Sequence, residues 1–155
     1  MDDVRPAAKA ESIPAALWGI ALLALSPFPV STYLYCYGPA SGMGSALNAL
    51  MLWSAVVLSF LGGVRWGLET REAQPRALRQ AFSALCAVAA WVMILARGRL
   101  PETWVIGGFI VAFLIQWLFD HQTPDTPSRY PMLSTAVTTA GCVSLAWALE
   151  KAMNA

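Results

Sequence analysis

Few side chains in this sequence are equipped for chemistry: Arg65, Glu69, Gln116, Asp120 and the one histidine, His121. Arg65 and Glu69 stand four residues apart, as do Gln116 and Asp120, so each pair shares a face if its segment is helical. A carboxylate beside a histidine is the material of general acid–base catalysis. A guanidinium is the natural partner for an acid taken out of water. Metal chemistry has less to draw on. No HExxH or other His/Cys ligand spacing is present, and one histidine cannot build a bis-histidine haem site. Cys36, Cys86 and Cys142 are three, with no CxxC pair, and read as small buried thiols rather than a disulfide or zinc framework. The sequence names no metal set and leaves any cofactor unknown.

The elements that position these groups are membrane spans. The chain has 155 residues, enough for one domain, with 57% apolar and only 12% charged residues. That charged share is about half the ordinary one for a soluble protein. Near-zero net charge without a basic stripe excludes nucleic acid as a partner. Arginine outnumbers lysine eight to two, a faint mark of a GC-rich bacterial genome. Five apolar segments approach the roughly 20 residues that a spanning helix needs. They run from about Pro14 to Cys36, Ser45 to Trp66, Leu78 to Ala96, Thr103 to Phe119 and Met132 to Leu149. The expected fold is all-α, an integral membrane bundle of five transmembrane helices. A polar tail covers 1–13, the bundle 14–150, and a short tail 151–155. The first span lacks a clean A-x-A exit and reads as uncleaved. Pro101 and Pro131 open the fourth and fifth helices.

Orientation follows from basic residues. Arg5, Lys9, Arg65, Arg71, Arg76, Arg79 and Arg129 fall on one side, and Arg97, Arg99 and Lys151 on the other. This predicts a cytoplasmic N-terminus and an outer C-terminus in a bacterial inner membrane. Arg65 and Asp120 then lie at the same cytoplasmic end, on helices that run in the same direction. Asp120 closes a helix, where the macrodipole disfavours negative charge. An acid so placed near lipid is costly unless paired. Two readings follow. Arg65, Glu69, Gln116, Asp120 and His121 form a polar cluster, or they are separate interfacial anchors, with Arg65 snorkelling and Trp66 at headgroup depth.

Small residues mark packing surfaces. Ala55, Ser59, Gly63 and Gly67 recur every four residues and make a smooth ridge, and Gly108 and Ala112 do the same on the fourth helix. In lipid, such ridges let backbones approach closely. On this reading, Gly63→Leu would overpack the bundle at about 1–3 kcal/mol. Gly62 falls off the ridge. Pro27 and Pro29, in SPFP, predict an irregular first helix, either a static kink or a hinge.

Phe60 to Gly67, FLGGVRWG, resembles the signature of a small bacterial and mitochondrial membrane family of unknown function, which includes the transmembrane protein sixty-nine of animals. Pro27-Phe28 and Gln116-x-x-x-Asp120 resemble its other recurrent positions. The resemblance spans about residues 14 to 150 and implies an inner-membrane helix bundle without an assigned activity.

Three functions remain. Small size, small-residue ridges and helix middles free of ionisable groups point to a non-enzymatic accessory or assembly subunit. Its partners would be the lipid bilayer and other integral membrane proteins, or further copies of itself. The mitochondrial relatives point to an energy-converting, respiratory-type complex. The alternatives are an oligomeric small-molecule transporter or channel, lined by Ser59, Thr138, Thr139 and the SPFP break, and a lipid-modifying enzyme using Asp120 and His121.

Overall fold

The computed structural model describes Gly19, residues 22–72, 74, 76–122 and 130–154. The described chain is helical, without a β-strand among the described residues. The helices are α1 (Pro27–Tyr37), α2 (Ala40–Glu69), α3 (Ala77–Ala96), α4 (Glu102–His121) and α5 (Tyr130–Met153). Four are long and apolar enough to cross a bilayer: α2 over 30 residues, α3 and α4 over 20 each, and α5 over Met132–Met153. At 1.5 Å per residue, 20 residues extend about 30 Å, the thickness of a hydrocarbon core. The expected 1–13 tail lies outside the described residues, as do parts of the expected first span. Arg5, Lys9 and Arg129 lie outside them too.

Short connections fold the long helices into antiparallel neighbours. The α3–α4 turn covers residues 97–101. Gly98 takes it with φ 78°, a left-handed conformation that disfavours a side chain. The Arg97 guanidinium donates to Asn48 Oδ1 on α2 and ties this turn to the bundle. Pro101 is the N-cap of α4, where its missing N–H leaves no helical bond unmade.

α2 packs chiefly on α3 and α4 on α5, while α1 lies against α2 and α5. Phe28, Leu47, Leu50, Leu58, Ile106, Phe109, Phe113 and Leu145 fill the centre. Phe28 meets Phe113 edge to face at 6.2 Å. Gly141 of α5 seats both rings, since a Cβ there would stand 3.3 Å from Phe28 Cζ and 3.6 Å from Phe113 Cε2. The outer surface carries many large apolar side chains. Phe60, Trp91 and Trp104 are 63%, 62% and 74% exposed, which suits a surface solvated by lipid.

SPFP breaks the helical run. A helical turn at residues 22–25 ends at Ser26, and α1 restarts with Pro27 at its first position. Pro27 has no N–H for the Leu23 carbonyl, and the Ser26 hydroxyl donates there instead at 2.8 Å. The Trp53 indole of α2 donates to the Ala24 carbonyl at 3.1 Å. Side chains thus satisfy backbone carbonyls that lipid could not.

The expected glycine ridge requires a correction. A Cβ at Gly63 or Gly67 would meet nothing within 4 Å, and both glycines are exposed, with Ala55 and Ser59 at the margin. The close approach is at Gly62, where a Cβ would stand 2.6 Å from the Ser83 carbonyl oxygen and 2.9 Å from Cys86 Cβ. The physical reason is angular. Each residue turns a helix by about 100°, so the stripe through Ser54, Leu58 and Gly62 faces inward and its neighbour faces out. Gly108 does sit at a contact, with Met93 of α3 lying over it, and Ala112 packs against the core.

Candidate functional site

The polar groups converge where α2 and α4 end and α3 and α5 begin. Arg65 and Glu69 approach from the last turns of α2, Gln116 and Asp120 from α4, and Ser134 from the first turns of α5. All five are buried, with Asp120 at 1% and Gln116 at 0% exposure.

Asp120 is the hub. Its Oδ1 lies 3.2 Å from Arg65 Nε and accepts from Gln116 Nε2 at 3.1 Å. Its Oδ2 accepts from the Ser134 hydroxyl at 2.6 Å. A carboxylate accepts only, so it fixes the Gln116 amide with its nitrogen toward Asp120. The amide oxygen then accepts from the Cys86 thiol of α3 at 2.9 Å. The network joins all four long helices. It also offsets the unfavourable position of Asp120 at a helix C-terminus. Arg65 contributes twice more. Its Nη2 donates to the Phe119 carbonyl, near the end of α4, at 3.5 Å. Its guanidinium lies 5.3 Å from the centre of the Phe119 ring, which stacks on Phe82 at 4.0 Å. This cation–π contact holds the charge in an apolar wall.

Glu69 and His121, expected in the same cluster, are used elsewhere. Glu69 Oε1 accepts from the Arg76 backbone N–H at 2.8 Å, and Oε2 lies 3.7 Å from Arg79 Nη1. Glu69 therefore closes the α2–α3 connection and caps the entry to α3. His121 is exposed, with Nδ1 3.0 Å from the Trp117 carbonyl and Nε2 3.5 Å from Thr135 Oγ1. The Trp117 indole also donates to Thr135, at 3.0 Å. As consecutive helical residues, Asp120 and His121 point about 100° apart. One turns into the bundle and the other out, so they form no acid–base pair.

Sequence reasoning missed Ser134, Cys86 and Thr135. Ser134 and Thr135 were visible only as hydroxyls in a helix rich in them, and Cys86 only as a small thiol. Among the described residues, no three His, Cys, Asp or Glu side chains stand close enough to hold a metal ion. Chemically, the carboxylate is engaged by cationic, amide and hydroxyl donors. Such an arrangement locks helices together and presents no open base.

Residues 13–150 match the family described as protein of unknown function (DUF3429). The chain is also 31% identical over 144 residues to Transmembrane protein 69 of Xenopus tropicalis, an alignment covering 88% of this chain. It covers 53% of the frog protein, so the chain spans about half the length of that relative. No solved structure matches the chain. Long apolar helices, a family match along most of the sequence and the frog relative lead to one assignment: the chain belongs to the DUF3429 family and is a multi-pass membrane protein.

Proposed function

We propose that this protein is a non-enzymatic bundle of a bacterial inner membrane, an accessory or assembly subunit of a larger membrane complex. One observation carries the reading: the buried acid at the helix ends is fully engaged in joining α2, α3, α4 and α5, through Arg65, Cys86, Gln116 and Ser134. A catalytic or transporting carboxylate needs an open side for substrate, and Asp120 is 1% exposed. The Phe28–Phe113 contact, sealed by Gly141, supports the same reading by closing the interior to a continuous path.

The outward ridge through Ala55, Ser59, Gly63 and Gly67 supplies a surface for a partner helix. Small residues spaced by four allow close helix approach where lipid gives no hydrophobic drive. Five spans with a cytoplasmic N-terminus suit this role. Arg65, Arg71, Arg76 and Arg79 lie at the end with Asp120, and Arg97, Arg99 and Lys151 at the other.

The test is purification in mild detergent, followed by native separation and identification of every co-migrating protein. A subunit is expected to run with a larger complex, and Gly63→Leu to weaken that association. Migration of the parent as itself, at native expression, would overturn the assignment.

A further inference from the structure

α4 and α5 keep a constant antiparallel register. Asp120 faces Ser134 at 2.6 Å, and seven residues deeper on each helix Phe113 faces Gly141. By that register Gln116, four residues from Asp120, stands at the level of Thr138, four residues from Ser134. Both are sealed, at 0% and 4% exposure. Thr138 Oγ1 has no hydrogen-bond partner among the described residues. The Gln116 amide nitrogen has two hydrogens, and its one bond goes to Asp120. An N–H and a hydroxyl thus lie at the same level, inside the bundle, without bonding to each other.

Leaving such groups unmet forfeits their hydration with nothing in return, and buried polar groups in native proteins are nearly always satisfied by protein or water. We propose that one structural water is bound between Gln116 and Thr138. It accepts from the second Gln116 N–H and donates to Thr138 Oγ1. A cation is disfavoured here, because Asp120 is already neutralised by Arg65 at 3.2 Å and another positive charge would stand uncompensated. A neutral guest with both donor and acceptor capacity meets both needs. Phe28 and Phe113 close the site toward the bundle centre, so the water ends a polar column of Ser134, Asp120 and Gln116. The site goes beyond the accessory role proposed above, and stands or falls independently of any partner.

A density map of the parent protein at about 2 Å resolution, where ordered waters are visible, tests this directly. The expected result is a peak within hydrogen-bond distance (about 2.7–3.2 Å) of both Gln116 Nε2 and Thr138 Oγ1. No such peak, or a Thr138 hydroxyl turned onto the Ser134 carbonyl, would overturn the proposal. A second measurement uses Thr138→Val, which replaces the hydroxyl by a methyl of similar volume. If water is bound there, valine strands it and melts a few degrees below the parent in detergent. If the hydroxyl has no guest, valine removes an unpaired polar group and melts at or above the parent, which also overturns the proposal. Should the valine variant fail to accumulate, the parent map decides.

Discussion

Removing either member of the Arg65–Asp120 pair strands the other in a place with almost no water. The side chains are 6% and 0% exposed, so the screening that makes surface pairs worth 0–1 kcal/mol is absent. Asp120→Asn and Arg65→Gln are each expected to cost roughly 3–5 kcal/mol. The double mutant should lose less than the sum, because neither charge is then left alone. Unfolding of all four proteins in one detergent checks this, and additive small losses would make the two residues independent anchors. The meeting of Arg65 with Asp120 was legible in the sequence. Helix direction set their common end, and four-residue spacing put Gln116 beside the acid. The partners from α3 and α5 were not legible. Nothing in a chain read one segment at a time singles out Ser134 from Ser144, or Cys86 from Cys142. Glu69 was misassigned because its partners, Arg76 and Arg79, lie across the α2–α3 connection, where spacing carries no geometry.

At the scale of the helix, Gly62 and Gly63 make a matched comparison. A leucine at Gly62 must displace the Ser83 carbonyl and Cys86 Cβ, both rigidly held. Overpacking typically costs about 1–3 kcal/mol, and the short distances place Gly62→Leu at or above the top of that range. Gly63→Leu adds its side chain on the outside and should melt like the parent in detergent. Equal destabilisation of both variants would rule out the inward stripe described for α2. Here the sequence was half legible. Its small-residue period announced a packing helix, but two adjacent stripes of α2 contain small residues. Only the position of α3 selects between them. The break at SPFP was legible in its prolines. Its repair was not, because Trp53 reaches Ala24 from another helix.

At the scale of the molecule, a bundle held at one end by charge and in the middle by aromatic rings must sit in the bilayer with a definite polarity. A reporter joined to the C-terminus of the full chain is expected to act as periplasmic. Cytoplasmic activity from intact fusion protein would reverse the orientation and put the Arg65–Asp120 end outside. Hydropathy made the four long spans legible because lipid demands length and apolarity from each span separately. Short connections made sequential neighbours such as α1 and α2 legible, but tertiary arrangement imposes no such local demand, so the placement of α1 against α5 had no counterpart in the sequence pattern.

The ion pair also has an electrical consequence. Displacing one elementary charge through an energised membrane involves about 2.3 kcal/mol per 100 mV. A lone Asp120 or Arg65 would make any motion of its helix depend on that voltage. With opposite charges 3.2 Å apart and moving together, almost no net charge is displaced. The Arg65–Asp120 pair therefore adds almost no voltage dependence of its own to the bundle.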